Sequence, residues 1–256
     1  MSAVALLREQ IAANRRAYQR CVALLVGGLA LFGLLVTLVL GLGGGGLGAG
    51  LGLAVLVVGF APGVGERAAL RDAGADPADP QRLPRYHNLV NGLCQAAGLP
   101  MPRLYVVDSD AANAFSVGRN PEQAALVVTR GLLTGLNRVE LEGVLAHELN
   151  HIWSWGARLA TLGVALGRVP GLLRLVAPPR REFDADEAGA RLTRYPPGLV
   201  SALRKLSAGD PPPIQPDGRG ARLEPPGPPS LGHLWIVAPD PTHPPVAARI
   251  AALQEL

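Results

Sequence analysis

Residues 141–152 read Leu-Glu-Gly-Val-Leu-Ala-His-Glu-Leu-Asn-His-Ile, and the fold follows from how this stretch is read. It lies within Arg138–Ser154, where Val139, Leu141, Val144, Leu145 and Ile152 recur at a spacing that predicts a helix with one face toward a core. Residues four apart share a helix face, so His147 and His151 can present two imidazoles to one metal ion. Glu148 lies about 100° around the helix from His147, within reach of water at that ion without being needed as a ligand. Neutral imidazoles and a carboxylate suit zinc. The ion would polarise a carbonyl while Glu148 takes the proton of the attacking water.

A tetrahedral site that stays open to water needs a third protein ligand. His87, His233 and His243 are candidates, and so are acids on a following helix. The run Arg181-Glu182-Phe183-Asp184-Ala185-Asp186 is the best placed. Glu182 opens a helix after a gap of about 30 residues. Asp186, one turn further on the same face, is positioned to accept the N–H of a ligating imidazole.

Upstream, no charged residue occurs from Cys21 to Gly65. One helix of that length would run about 68 Å, twice the hydrocarbon thickness of a bilayer. Gly41–Gly50 is a poor helix interior and a good place to turn. Two spans are therefore expected, Val22–Leu40 and Leu47–Ala61, the second closed by Pro62. Arg8, Arg15, Arg16 and Arg20 precede the first span, Arg67 and Arg71 follow the second, and the connecting loop carries no charge. The positive-inside rule then puts both ends in the cytoplasm, in a multi-pass protein of the cell (inner or plasma) membrane. Residues 2–20 read as an amphipathic helix on the cytoplasmic face, with Val4, Leu7 and Ile11 on one side.

Downstream, the pattern is that of a folded domain. Expected are a helix at Leu83–Ala97, short strands at Leu104–Val107, Ala114–Val117 and Ala124–Thr129, and helices at Arg181–Arg194, Leu199–Ser207 and Val246–Leu253. The organisation expected is a basic helix at 1–20, a membrane hairpin at 21–65, a linker at 66–82 and a metallopeptidase domain at 83–256. A Pro- and Gly-rich loop falls at 208–230. The net charge of +4 resides mostly in the N-terminal collar, so the folded part has no basic surplus for nucleic acid. Two lone cysteines, Cys21 and Cys94, form no disulfide framework and no zinc-knuckle spacing.

The stretch from Asn113 to Ile152, with AFSVGRNPEQAALVVTRGLL and LEGVLAHELNHI, resembles the HtpX-type integral-membrane zinc metalloproteases, relatives of the CAAX prenyl endopeptidases. The likeness extends to LREQIAANRR near the start, to REFDAD and to THPPVAARI near the end. It implies an α+β gluzincin fold, mostly helical with a small antiparallel sheet behind the hairpin, and one zinc ion per chain. It implies that Glu182 is the third ligand and Asp186 the acid behind it. Asn113 and Ala114 match a strand placed beside the substrate backbone. His243 and Arg249 match a pair near the site, suggested to contact substrate or the developing oxyanion. The implied substrates are polypeptides, membrane or misfolded proteins, cleaved at the bilayer surface. Two alternatives carry different functions: a membrane adaptor with a structural zinc, which would have no need of Glu148, and a protease dedicated to one precursor. The resemblance breaks at residues 153–178, where HtpX-type proteins usually carry two further hydrophobic segments. Only 26 residues are available here, interrupted by Arg158, Arg168, Pro170 and Arg174. Two spans of about 20 residues do not fit, and a packed or membrane-skimming helix pair is expected instead.

Overall fold

The structure, a computed structural model, describes residues 3–41, 45–166, 180–208, 227–228, 231–237 and 243–256. Most of the 208–230 loop and the second half of 153–178 fall outside the described residues.

Two long helices come first, α1 (Ala3–Leu40) and α2 (Gly45–Asp72). Both are long and apolar enough to cross a membrane, and only 6% of the most apolar window of α1 is buried in protein. Leu31, Phe32, Leu38, Val39, Val55 and Phe60 face outward. In water such a surface would be a liability; against lipid it is solvated. The two helices meet through glycines. A Cβ added to Gly50 would lie 2.5 Å from the Leu29 carbonyl oxygen, and one on Gly33 would also collide with the facing backbone. Small residues allow the close approach that drives helix pairing in lipid.

The hairpin differs from expectation in three ways. The amphipathic segment is not separate from the first span, because no breaker lies between them and α1 runs through as one helix. Pro62 does not end the second helix. It lies inside α2, which continues to Asp72. Residues 66–82 are consequently not a plain linker: they hold the end of α2 and strand β1 (Ala75–Pro77), with Glu66 paired to Arg103.

The domain follows with α3 (Pro84–Ala97), β2 (Arg103–Val107), β3 (Ala114–Val117), β4 (Ala125–Thr129), α4 (Arg130–Gly135), α5 (Arg138–Trp153), α6 (Gly156–Ala165), α7 (Arg180–Thr193), α8 (Pro196–Ala208) and α9 (Val246–Gln254). The sheet order is β1-β2-β4-β3. The expected antiparallel sheet is mixed: β1/β2 and β3/β4 are antiparallel, but β2/β4 is parallel. The reason is that β3 takes the outer edge and β4 turns back to lie between it and β2. Every residue of β4 is buried, which is why Ala-Leu-Val-Val-Thr reads as a continuous apolar run. Leu126 and Val128 face a core built on α3, α5, α7 and α8, while Val127, Phe115 and Val117 face Ala160 and Trp235 on the other side.

Helix α5 begins with a reciprocal cap. The Asn137 side chain accepts from the Glu140 N–H, and the Glu140 carboxylate accepts from the Asn137 N–H. That satisfies two of the helix's orphan donors. Helix α6 is a packed helix, as expected for the first part of 153–178, with Leu159, Ala160, Thr161 and Leu162 buried against α2 and the sheet.

Candidate metal and catalytic site

Two buried helices build the site. Helix α5 carries His147, Glu148 and His151, and α7 carries Glu182 and Asp186. The two approach closely because Gly189 of α7 has no side chain; a Cβ there would lie 2.9 Å from the His147 backbone nitrogen. His147 and Glu182 are 0% and 3% exposed, so their charges act through protein rather than water.

The candidate ligand atoms converge. His147, His151 and Glu182 offer atoms that all lie within 4.8 Å of one another. The two Nε2 atoms are 3.1 Å apart, Glu182 Oε2 is 3.4 Å from His147 Nε2, and Glu182 Oε1 is 3.5 Å from His151 Nε2. Atoms bound about 2 Å from a tetrahedral zinc would be about 3.3 Å apart, so the donor set fits such an ion in both chemistry and spacing. His147 Nδ1 donates to Asp186 Oδ1 at 2.8 Å, which leaves Nε2 with its lone pair toward the other two groups. Arg249 holds Asp186 in turn, donating from Nε and Nη2 at 2.7 Å each.

The electrostatics of the cluster are compatible with a cation. Burial alone would lower His147, but hydrogen bonds to Asp186 and Glu182 outweigh it and raise the imidazole to about 9. Burial pushes His151 down to about 3, so it is a neutral donor. Burial would raise the Glu182 carboxyl, yet the neighbouring imidazoles hold it well below the usual carboxylate range. A metal ion among these groups would replace the proton that the two carboxylates draw onto His147.

Glu148 sits beside the cluster, 1% exposed. Burial pushes its carboxyl up to about 7. Ser116 Oγ of β3 donates to Glu148 Oε2 at 2.9 Å, while Oε1 is buried without a hydrogen-bond partner. Ser116 was not foreseen, since one serine in a strand pattern carries no signal until the strand is placed beside α5. Arg181 was also missed; its Nη2 reaches Glu182 Oε1 at 3.3 Å.

The other candidates fall out differently. His87 Nε2 lies 2.9 Å from the Ala78 carbonyl and His233 Nε2 lies 3.0 Å from the Ala160 carbonyl, so neither joins the cluster. His243 is near enough for its charge to act on Glu182. Arg249, expected to face substrate, is 1% exposed and also donates from Nη1 to the Ile236 carbonyl at 2.7 Å. It stands behind Asp186 rather than on an open surface, because two buried carboxylates need a buried counter-charge. Ala114 opens the outer strand and Asn113 immediately precedes it, but the chain itself pairs with them. Ile236 N–H donates to the Ala114 carbonyl at 2.9 Å, and Asn113 Nδ2 donates to the Val237 carbonyl at 2.7 Å. Trp235 packs edge-on against Phe115, with ring centroids 4.6 Å apart. An edge strand has unpaired backbone groups, and the 231–237 segment satisfies part of them.

Comparison with known proteins places this geometry. Residues 80–175 match the family model for Peptidase family M48. A protease HtpX homolog of Streptococcus gordonii is 32% identical, with 98% of this chain and 100% of the relative covered. Homologs of the same description from Dictyoglomus turgidum and Tropheryma whipplei are each 34% identical, over 68% and 74% of this chain and 70% and 78% of their own lengths. The alignment with the streptococcal protein spans 303 positions against 256 residues here, so that relative has segments without a counterpart in this chain. The match to the family model ends before Glu182, so that residue lies outside the matched stretch.

Proposed function

Since the chain belongs to the HtpX proteases of peptidase family M48 and is a membrane-anchored metalloprotease, we propose that it is a zinc-dependent endopeptidase with its active centre between α5 and α7. His147, His151 and Glu182 hold one zinc ion, and Glu148 is the general base. The observation that carries this reading is the convergence of three ligand atoms within 4.8 Å, with a partner-free carboxylate oxygen on the adjoining residue. The zinc ion supplies Lewis acidity toward the scissile carbonyl and the attacking water.

The chain's own groups do the rest. Asp186 keeps the His147 ring in one orientation and one tautomer, through a contact that Arg249 braces from behind. Glu148 offers Oε1 to the water while Ser116 pins Oε2, so one oxygen accepts the proton and the other fixes the group. A carboxyl raised toward neutrality by burial can take a proton and return it to the leaving amine. The peptide lies along the outer edge of β3, meeting Ser116 first and Asn113 and Ala114 as the 235–237 segment releases them. His243, near enough for its charge to act on Glu182, is the candidate to contact the developing oxyanion.

The arginine distribution supports a hairpin that crosses the bilayer twice and leaves the domain in the cytoplasm. There it would act on membrane or misfolded polypeptides. Replacing the base tests the reading. Glu148→Gln should keep the fold and the metal and lose proteolysis by about 100-fold or more. Unchanged turnover in that variant would overturn it.

A further inference from the structure

The junction between the hairpin and the domain holds two adjoining cavities that the metal site does not use. The larger, about 580 Å³, runs between α1 and α2 along Val22, Val26 and Val58, with Tyr18, Arg119 and Arg158 at its domain-side end. The smaller, about 320 Å³, continues from Tyr18 and Arg158 to Arg15 and Trp155. Arg158 forms a wall of both.

Arg119 and Arg158 thus share the larger cavity and Arg15 and Arg158 the smaller one, and none of the three has a carboxylate partner among the described residues. The faces of two are occupied. Arg158 Cζ lies 3.9 Å from the Tyr18 ring centroid and 5.6 Å from that of Trp155, and Arg15 Cζ lies 5.1 Å from Trp155. Stacking of this kind fixes a guanidinium but leaves its N–H edge to other partners. Arg158 Nε is buried with no acceptor at all. Two guanidinium groups without a carboxylate lining one cavity leave their remaining N–H donors to an anion that would complete the site. Trp155 reaches this place at a backbone cost. Its φ of 66° is left-handed, a conformation that residues with side chains avoid, and the turn between α5 and α6 adopts it to set the indole beside the two cations.

The position identifies the anion's source. The uncharged stretch begins at Cys21, between Tyr18 and Val22, so the arginines stand where the bilayer's polar boundary would lie and the valines where acyl chains would. Basic pockets beside membrane helices suit anionic headgroups. We propose that this junction binds one anionic phospholipid, its phosphate at Arg158 and Arg119, with Arg15 lining the adjoining cavity, and one acyl chain along Val22, Val26 and Val58. The lipid would bridge α1, the α5–α6 turn and the loop after β3. This inference rests on insertion of the hairpin into a bilayer and is independent of the metal assignment.

The test uses the full-length protein reconstituted in vesicles of phosphatidylcholine mixed with phosphatidylglycerol, then released for native mass spectrometry. One retained phosphatidylglycerol per chain is expected, in preference to phosphatidylcholine. The double variant Arg119→Gln/Arg158→Gln should lower that retention about tenfold or more, the loss expected of charge-assisted hydrogen bonds. Arg82→Gln, remote and exposed, should not change it. Equal retention of the two lipids by the unmodified protein would overturn the proposal without reference to any variant, and so would unchanged retention in a folded double variant. Displacement of phosphatidylglycerol by millimolar inorganic phosphate would show a soluble-anion site and also overturn it.

Discussion

Arg249 and Asp186 form a two-pronged ion pair inside the protein, with both nitrogen–oxygen distances at 2.7 Å and both residues at most 2% exposed. The same Asp186 accepts from His147, so the pair anchors the first metal-ligand candidate from outside its own helix. Removing one partner of a buried pair leaves the other uncompensated, which makes this contact a sensitive point.

Asp186→Asn should weaken metal binding about 10- to 100-fold, the usual effect of losing a carboxylate behind a ligating imidazole. Competition with a chelator of known affinity measures it. Glu182→Ala removes a proposed ligand outright, and metal content by mass should fall to near zero after dialysis. Full occupancy in Glu182→Ala would refute the ligand set.

Gly189→Ala should separate α7 from α5. The new Cβ would meet the His147 backbone nitrogen at 2.9 Å, and backbone cannot yield as a side chain can. A loss of about 1–3 kcal/mol in stability is expected, together with weaker metal binding. Gly92→Ala is the control, since its added Cβ meets open space on α3 and should cost nothing. Thermal unfolding of the two variants side by side decides it.

Glu140 sets a pH dependence of stability. Burial would raise its carboxyl, but Lys205, Ser201 and the Asn137 N–H bind the charged form and bring it below the usual 4.5. A carboxyl lowered on folding stabilises the protein above its unfolded value, and that contribution disappears as pH falls through the folded one. Glu140→Gln retains the helix cap but loses the charge pair with Lys205. It should unfold more easily at pH 7 by about 1–2 kcal/mol, and the gap should close as pH falls through the lowered value of the folded Glu140 carboxyl. A constant gap across that range would contradict the assignment.

Topology can be read by cysteine labelling in intact cells. A cysteine introduced at Gly45 should react with an impermeant thiol reagent, and one at exposed Gln81 should react only after permeabilisation. Cys94 will not interfere, because it is buried and its thiol is pushed up to about 11 by burial. The reverse pattern would place the domain outside.

Local pattern was enough for much of this protein. The helical spacing around His147 and His151, the charge-free stretch and the acidic pair Glu182/Asp186 are written within a few turns of chain, and helix periodicity or bilayer length translates them directly. Residues 84–97, 138–153 and 246–254 form helices close to where their apolar spacing puts them. Tertiary structure decided what local pattern cannot encode. Pro62 stays helical, and α1 donates from Gln10 and Asn14 to the Asp184 and Ser154 carbonyls on the ligand-bearing side of the domain. Ser116 becomes the partner of Glu148 only because β3 takes the outer edge, and Arg249 turns inward because two buried carboxylates demand a cation. Those outcomes depend on contacts between residues far apart in the chain, where desolvated charges and unpaired backbone groups must find partners wherever packing delivers them.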